Sequence, residues 1–345
     1  MHVGIIGHGT WFPATSMSAA DLAAATGVPE NVISQKFGVK RKPVAGPEDT
    51  TARMGLLAAR RALENAGIDG SRVDLVIWCG AQHKDYPCWL AGLYVANQIG
   101  AKNAWSFDME AMCGSMMAAL DVAKSLMIAR GDLDTVLLVS GYRNNDLIDP
   151  AVSATRFMLD IGSGAAALVL KRDSGRNEVL ASAFRGDGSL SEMCVIPTLG
   201  SKAWPPSAAD LGRAHFEVPD EEAFKAKLGE VTMPNFYGVI REAVLRSGLV
   251  GPDESRPESA IDYLAILHFK RSAHEAVLAE LGLDASKSVY LEDYGHVGQN
   301  DQVLSLELGL ASGKIADGAR IVFVGAGLGF VWAATAIRWG PVAAA

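Results

Sequence analysis

The stretch that decides the fold runs from Asp108 to Leu120 and has the sequence DMEAMCGSMMAAL. The apolar segment Ala104–Phe107 comes just before it and predicts a short strand. After Gly114 and Ser115, apolar residues recur at the spacing of a buried helix. Cys113 is therefore expected at the N-terminus of that helix, where backbone N–H groups and the helix dipole favour the thiolate. Such a thiol is either a nucleophile or a small side chain packed in the core.

The bulk properties exclude several classes of protein. The chain has 345 residues, 49% hydrophobic and 20% charged, which is enough for the core of one large or two medium domains. The net charge of -8 argues against general binding of nucleic acids. No apolar run is long enough to span a bilayer, and the first residues lack the features of a signal peptide, so no membrane association is expected.

The chain has four cysteines, and their spacing bears on metals and on the cellular compartment. They form no CxxC pair and no cluster with metal-ligand spacing; they are Cys79, Cys88, Cys113 and Cys194. In a chain of this size, this pattern predicts reduced thiols, no bound metal and a cytoplasmic protein.

Short apolar segments alternate with longer helical patterns along the whole chain, which predicts an α/β protein with largely buried sheets. The same succession occurs twice, so we expect two pseudo-equivalent halves, residues 1–174 and 175–345. The second half has a predicted helix from Phe236 to Gly248 and a predicted strand from Ser288 to Leu291. Residues 184–235 have no clear periodicity, and we expect an irregular insertion or a lid over a pocket there.

Two histidines lie where site residues are common. His268 ends an apolar strand and precedes basic residues, although a buried, hydrogen-bonded and inert histidine fits the same pattern. His296 lies between two glycines just before a predicted helix, and glycines permit close approach of the backbone to a ligand. The same segment can also be a turn in which Asn300 or Asp301 caps the helix.

A glycine-rich loop, Gly325–Gly329, follows a predicted strand. It is similar to half of a dinucleotide-binding loop, but a second strand, Val331–Ile337, follows in place of the required helix. NAD binding is therefore rejected. Backbone N–H groups in such a loop can instead hold an oxyanion.

Taken in order, these motifs resemble those of the ketoacyl-ACP synthase III-type condensing enzymes of the thiolase superfamily, and the resemblance covers nearly the whole chain. The matching segments are Ile5–Pro13, Val32–Val39 with Lys36 in the place of an arginine, Ala111–Ser115 around the cysteine, Ile161–Ala167, His268 and Gly325–Gly329.

Two departures from the family pattern bear on the substrate. His296 stands where the family usually has an asparagine, so Cys113, His268 and His296 resemble the Cys-His-His set of elongating ketoacyl synthases and thiolases. Asn300 is a possible substitute for that asparagine. The family's HQAN run is replaced by the sequence HFKR, which begins at His268.

The resemblance implies a thiolase fold with five layers, α-β-α-β-α, and an active site where the two halves meet. It also implies a homodimer that pairs edge strands near the cysteine motif. No metal or redox cofactor is implied, and the substrates would be thioesters of CoA or of an acyl carrier protein.

The activity implied is carbon–carbon bond formation between two acyl thioesters. Cys113 would take the acyl group, and its N–H together with one at Gly327 or Leu328 would hold the oxyanion. His268 and His296 would bind the carbonyl of a malonyl-type thioester as it loses CO₂, or one histidine would take a proton directly.

Further residues are expected to bind substrate. Basic side chains at the mouth of a pantetheine tunnel would meet phosphates or an acidic carrier protein, although each can also be an ordinary solvated surface charge. The basic residues are Lys36, Arg156, Lys270 and Arg271, and the other expected substrate-binding residues are Asn300, Met112 and Gln82.

Two other functions stay open. An acyltransferase or thioesterase-like enzyme would pass the acyl group on Cys113 to an alcohol, an amine or water. A non-catalytic subunit of a condensing complex would have no chemical reason to keep Cys113, His268 and His296. A condensing enzyme differs from the acyltransferase in that its consumption of malonyl thioester requires a preformed acyl-enzyme.

Overall fold

The computed structural model describes residues 1–80 and 83–342. Its strands are β1 (Val3–Trp11), β2 (Ser16–Ser18), β3 (Arg41–Pro43), β4 (Leu75–Cys79), β5 (Trp105–Met109), β6 (Thr135–Tyr142), β7 (Gly164–Arg172), β8 (Arg176–Gly186), β9 (Tyr263–Ile266), β10 (Arg320–Gly327) and β11 (Val331–Pro341). Its helices are α1 (Ala19–Thr26), α2 (Thr51–Ala66), α3 (Ala91–Gln98), α4 (Ser115–Ala129), α5 (Ala208–Leu211), α6 (Glu221–Arg246), α7 (Arg271–Glu280) and α8 (Asp301–Ala311). Short 3-10 turns, Met112–Gly114 and Gly298–Asn300, lead into α4 and α8.

The order of the strands shows an internal repeat. The first half has the order β5-β4-β6-β7-β1, and the second half continues it as β8-β11-β10-β9. The pairing of Gly4 with Glu178 links the two halves at β1 and β8. In each half, a parallel pair is followed by two antiparallel pairs, so β4-β6-β7-β1 corresponds to β9-β10-β11-β8. The first half has a further parallel pair, β5-β4, at its edge. The strand order therefore agrees with two pseudo-equivalent halves, and their division at residue 174 stays a prediction.

Five layers follow from the three large apolar clusters of the core. Helices α2 and α3 cover one face of the first sheet, and α6 and α7 cover the outer face of the second. Helices α4 and α8 lie between the two sheets. Strand β4 shows the physical reason, because Val76 and Trp78 join the outer cluster whereas Leu75 and Ile77 join the central one. The predicted α-β-α-β-α thiolase fold is confirmed.

The prediction of a strand at Ser288–Leu291 is wrong. These residues lie beside β9 without pairing in the sheet, and the Ser288 hydroxyl donates to the carbonyl of Leu264 at 2.7 Å. Contact through a side chain thus replaces the backbone ladder that the apolar pattern suggested.

The helix predicted from Phe236 begins much earlier, at Glu221, inside the segment 184–235 that was expected to be irregular. Asp220 caps it by accepting from the backbone N–H of Ala223 at 2.9 Å. Pro234 lies within the helix. A proline usually interrupts a helical pattern, so the first part of α6 was not predicted from the sequence.

Helix α4 with its preceding turn, Met112–Ala129, is long and apolar enough to cross a membrane by length and composition alone. Half of this segment is buried inside the protein, in the layer between the two sheets. Packing against two sheets explains its apolar character.

Candidate active site

Cys113 lies in the 3-10 turn that leads into α4, and its side chain is half-buried. The Ser115 hydroxyl closes this turn, accepting from the N–H of Ala111 at 2.8 Å and donating to the carbonyl of Met112 at 2.6 Å. Met112 has φ of 47°, in the left-handed region that non-glycine residues seldom adopt. The local sequence therefore holds the thiol in one fixed, slightly strained position.

His296 comes from the other half of the molecule and reaches the thiol. Its Nε2 lies 3.2 Å from the Sγ of Cys113. The backbone of His296 is fixed on both sides, because its N–H donates to the carbonyl of Asp160 and its carbonyl accepts from Gly162, each at 2.9 Å. Gly295 has φ of 63°, and a Cβ on it would lie 2.0 Å from the Asp160 carbonyl, so only glycine fits this approach.

Asp301 organises both histidine segments. Its fully buried carboxylate accepts from Nδ1 of His296 at 2.6 Å, from the backbone N–H of His268 at 2.7 Å and from that of Val297 at 2.7 Å. The residue begins α8, where the helix dipole stabilises a negative charge. The sequence indicated Asp301 only as a possible helix cap, and Asn300, the N-cap residue of α8, makes no capping bond with its side chain.

These contacts determine the charge of His296. Burial disfavours its protonated form, but the Asp301 carboxylate and the Cys113 sulfur outweigh burial and raise the pKa of His296 well above its ordinary value. The arrangement therefore favours a protonated imidazole in contact with the Cys113 sulfur, and a cation in that place stabilises the nucleophilic thiolate form of a cysteine once it forms.

His268 lies in the same cavity as Cys113 and His296. Its Nδ1 is 2.8 Å from Oδ2 of Asp160, and its ring lies 5.0 Å from that of Tyr290. The side chain is buried, and among the described residues its Nε2 has no hydrogen-bond partner. One ring nitrogen is thus fixed by the protein, and the other is free for a substrate.

Lys42 supports the segment that carries Asp160, and the sequence gave no indication of it. Its Nζ donates to the carbonyls of Leu159 and Ile161 at 2.9 and 2.8 Å and to Oδ1 of Asn145 at 2.9 Å. Burial lowers the pKa of Lys42 to about 8, and the nearby Asp160 opposes this shift. The signal for Asp160 itself was an acidic residue inside an otherwise apolar run, directly before the glycines near residue 162.

The three predicted catalytic side chains open into a cavity of about 440 Å³. Much of its wall comes from α6, which the sequence analysis had assigned to an irregular lid. The wall is mainly aromatic and aliphatic, and its phenylalanines are Phe37, Phe157, Phe224, Phe236, Phe269 and Phe330. Two exposed lysines, Lys225 and Lys270, also line it. Such a cavity suits an apolar acyl group with polar atoms at its ends.

The expected substrate-binding residues have different surroundings. Lys270 lines the cavity, with its Nζ 5.9 Å from the centre of the Phe37 ring. Arg271 does not line it, because its guanidinium is bound to Glu292 at 2.5 Å and lies over the ring of Tyr290.

The remaining expected residues lie outside the cavity lining. Lys36 and Arg156 are exposed, and Met112 is 36% exposed. Asn300 is fully buried, and neither polar atom of its amide has a partner among the described residues. Gln82 lies outside the described residues.

The glycine loop lies against the nucleophile, as an oxyanion site would require. A Cβ on Gly327 would lie 2.8 Å from the backbone nitrogen of Cys113 and 2.6 Å from Cβ of Met112. Leu328 lines the cavity. Within residues 1–80 and 83–342, no group of three or more His, Cys, Asp or Glu side chains could hold a metal ion.

Comparison with known proteins agrees with this geometry. Two family models match in order, 3-oxoacyl-[acyl-carrier-protein] synthase III over residues 107–188 and its C-terminal part over residues 254–339. Beta-ketoacyl-[acyl-carrier-protein] synthase III of Rhizobium johnstonii is 28% identical over 96% of this chain and 98% of its own length. The protein of the same name from Paramagnetospirillum magneticum is 27% identical over 97% of this chain and 98% of its own length.

A solved structure extends the likeness to three dimensions. The 3-oxoacyl-(acyl carrier protein) synthase III of Pseudomonas aeruginosa matches with a TM-score of 0.84 at 26% identity, and the match covers 100% of both chains. These matches support a ketoacyl-ACP synthase III-like enzyme of the thiolase superfamily.

Proposed function

We propose that this protein loads an acyl group on Cys113 and condenses it with a malonyl-type thioester of CoA or an acyl carrier protein to give a β-ketoacyl product. The observation that carries the proposal is the 3.2 Å contact between His296 Nε2 and Cys113 Sγ, with Asp301 2.6 Å from the other ring nitrogen. A nucleophile, a base and a group that orients the base form the arrangement used in covalent catalysis.

In the first stage, Cys113 is acylated. His296 takes the thiol proton at Nε2 while Asp301 holds Nδ1–H and stabilises the imidazolium. The thiolate attacks the thioester carbonyl, and the departing thiolate of CoA or of the carrier takes a proton from solvent, so that His296 keeps its proton on Nε2. The N–H of Cys113 and one from the adjacent Gly327 segment hold the tetrahedral oxyanion, and one such donor contributes about 3 kcal/mol in related acyl-transfer sites.

In the second stage, a malonyl-type thioester enters the same cavity and loses CO₂. Its electrons form an enolate whose carbon attacks the carbonyl of the acylated Cys113, and the cysteine thiolate leaves. The protonated Nε2–H of His296 is placed to donate to the enolate oxygen, and His268 does so when it is protonated. An asparagine can donate in the same way, but it cannot take the proton of Cys113.

The cavity and the sheet edge support the partners that we propose. Lys270 is suited to the phosphate of a pantetheine arm, which CoA and carrier proteins share, and Lys225 also lines the cavity, where it is bound to Glu221. Strand β5 is the outermost strand of the first half, and its Trp105 is 41% exposed. An exposed edge strand with an exposed aromatic residue fits a homodimer that pairs through β5.

The test is intact-protein mass spectrometry with a panel of acyl-CoAs from short to long chains. We expect a mass increase of one acyl group on the wild-type protein and none on Cys113→Ala. Addition of malonyl-CoA or malonyl-carrier protein should discharge the adduct and release a β-keto product. Cys194→Ala is the matched control, because that buried thiol lies outside the cavity lining and should not affect labelling.

Two outcomes would contradict the proposal. Labelling that persists in Cys113→Ala would show that the nucleophile is another residue. Discharge without a new carbon–carbon bond would show that the acyl group passes to water, an alcohol or an amine.

A further inference from the structure

Three phenylalanines of the cavity wall form one cluster. The rings of Phe157 and Phe224 lie 5.5 Å apart, and those of Phe224 and Phe330 lie 5.9 Å apart, with angles of 39° and 48° between the ring planes. Phe224 and Phe330 are buried, Phe157 is half-buried, and all three line the cavity. We name them the phenylalanine cluster. Because its rings are tilted against one another, a ligand beside it can meet the face of one ring and the edge of another.

The phenylalanine cluster is anchored next to the nucleophile. Gly327, on the segment that leads to Phe330, lies against the backbone nitrogen of Cys113. A Cβ on Gly114, the residue after Cys113, would lie 3.4 Å from Cγ1 of Val331, the residue after Phe330. An acyl group on Cys113 therefore starts beside the segment that carries Phe330.

Helix α6 separates the phenylalanine cluster from the Lys270 end of the cavity. One face of the helix lines the cavity with residues at intervals of four, which are Phe224, Leu228, Thr232 and Phe236. With a rise of about 1.5 Å per residue, the two phenylalanines of this face are about 18 Å apart along the helix. Phe236 packs edge-on against Phe269, the neighbour of Lys270 in the chain.

The charges of the two ends differ as well. Lys225 follows Phe224 in the chain, and its ammonium is bound to Glu221. Lys270 lies near the ring of Phe37, with its Nζ 5.9 Å from the ring centre. The Lys270 end therefore suits the phosphate of the pantetheine arm, and the phenylalanine cluster is left for the acyl group.

We propose that the acyl group taken by this site carries an aromatic ring, which binds against the phenylalanine cluster, so that arylacetyl and related aryl-alkyl thioesters are the class of substrate. The inference rests on the proposed function for the acyl-enzyme. Two aromatic rings in contact gain more than their buried area gives, whereas a saturated ring gains from its area alone. An aromatic ring also has few rotatable bonds, so it loses less conformational entropy on binding than a flexible alkyl chain.

The first test compares the binding of two thioesters that differ only in the ring, phenylacetyl-CoA and cyclohexylacetyl-CoA. Isothermal titration calorimetry with Cys113→Ala, which cannot form the acyl-enzyme, measures both Kd values. We expect phenylacetyl-CoA to bind about 2- to 12-fold more tightly. Burial of apolar area alone would favour the bulkier cyclohexyl ring. Equal affinities, tighter binding of cyclohexylacetyl-CoA or no binding of either thioester would overturn the proposal.

Variants of single phenylalanines locate the ring, each made in the Cys113→Ala protein. Phe224→Leu should bring the two Kd values close to equality. Phe323→Leu is the matched control, because Phe323 is as buried as Phe224 but lies outside the described cavity lining, and it should keep the preference. Phe236→Leu should also keep it. A preference that is lost in Phe236→Leu and kept in Phe224→Leu would place the ring at the Lys270 end and overturn the assignment to the phenylalanine cluster.

Acylation of the wild type separates this inference from the proposed function. In both thioesters a methylene group isolates the carbonyl from the ring, so their intrinsic reactivities are similar, and intact mass of an equimolar mixture gives the ratio of the two adducts on Cys113. Acylation by aliphatic acyl-CoAs together with equal affinities for the ring pair would overturn the aromatic class and leave the proposed function intact. Tighter binding of phenylacetyl-CoA without acylation of the wild type by any acyl-CoA would support the aromatic class and contradict the proposed function.

Discussion

Helices α4 and α8 occupy equivalent places in the two halves, but their first turns carry different chemistry. Both lie in the middle layer, both follow a 3-10 turn, and neither N-cap residue makes a capping bond with its side chain. The turn before α4 carries the thiol of Cys113, and the first residue of α8 is the buried Asp301. A helix N-terminus stabilises an anion, a thiolate in the first case and a carboxylate in the second.

This difference shows how two equivalent helices, one in each half, supply two parts of a single reaction. The first half provides the nucleophile, and the second half provides the carboxylate that orients the base. His296 joins them, because its two ring nitrogens contact Cys113 and Asp301. Variants that alter one helix start without the other can therefore separate activation of the nucleophile from its placement.

The largest effect is expected for His296→Asn, which gives this chain the residue that its family usually has. The amide can still donate a hydrogen bond, but it cannot take the thiol proton. We expect acylation of Cys113 to slow by about 10³- to 10⁴-fold, within the range of general-base catalysis. Stopped-flow or quenched mass spectrometry with the best acyl-CoA measures the rate. Acylation at the wild-type rate would show that the thiol does not depend on the imidazole.

A smaller loss is expected for Asp301→Asn. The amide removes the charge that favours the imidazolium of His296 and keeps only one accepting oxygen, whereas the backbone N–H groups of His268 and Val297 bind different oxygens of the carboxylate. We expect acylation to slow by about 10²- to 10³-fold, less than for the loss of the base itself. The control is the far-UV circular dichroism spectrum, which should stay native. A loss of acylation accompanied by unfolding would assign Asp301 to the structure alone.

His274 provides a comparison with a buried histidine in a different electrostatic setting. Burial, with contributions from His268, Arg271 and Lys314, lowers its pKa to about 4. The unfolded chain binds this proton near pH 6.5, so the stabilisation is full above that pH and is lost as the pH falls toward 4. The difference corresponds to about 3 kcal/mol.

Urea denaturation at pH 7 and at pH 4.5 measures this effect. The wild type should lose more stability on acidification than His274→Gln, since the variant has no imidazole to protonate. Equal losses in both proteins would mean that His274 does not resist protonation in the fold.

The smallest effect is expected for Gly327→Ala, which tests the close contact at the start of α4. The added methyl would lie 2.6 Å from Cβ of Met112 and 2.8 Å from the nitrogen of Cys113. Because these atoms have to shift, we expect a loss of about 1–2 kcal/mol in the free energy of unfolding together with slower acylation. Gly131→Ala is the matched control, because its Cβ would meet no atom within 4 Å. If the two variants behave alike, the β10 segment does not constrain the nucleophile.

The candidate site could be predicted in part from the sequence. Cys113, His268 and His296 each stand in a recognisable local setting, and the structure brings all three to one cavity. Asp301 was visible only as a possible cap, because its bond to an imidazole five positions earlier depends on the shape of the turn between them. Asp160 was missed, because its contact with His268 joins residues 108 positions apart.

The sequence by itself determined the alternation of strands and helices and the repeat, and the five layers were implied by the family resemblance. The period of apolar residues along each strand and helix is a local property, and burial on one or both faces follows from it, as in β4 and α4. Prediction from the sequence failed where the local pattern was ambiguous, at Ser288–Leu291 and in the part of α6 before Pro234.

Only the tertiary structure decided which charges are engaged and which polar atoms are free. Arg271 and Lys270 are adjacent in the sequence, yet one is bound to Glu292 and the other lines the cavity. Asp160 contacts Nδ1 of His268, and Nε2 of the same ring has no hydrogen-bond partner within residues 1–80 and 83–342. Hydrogen bonds and ion pairs have a range of a few ångströms, so they depend on how distant segments pack together and leave no periodic trace along the chain.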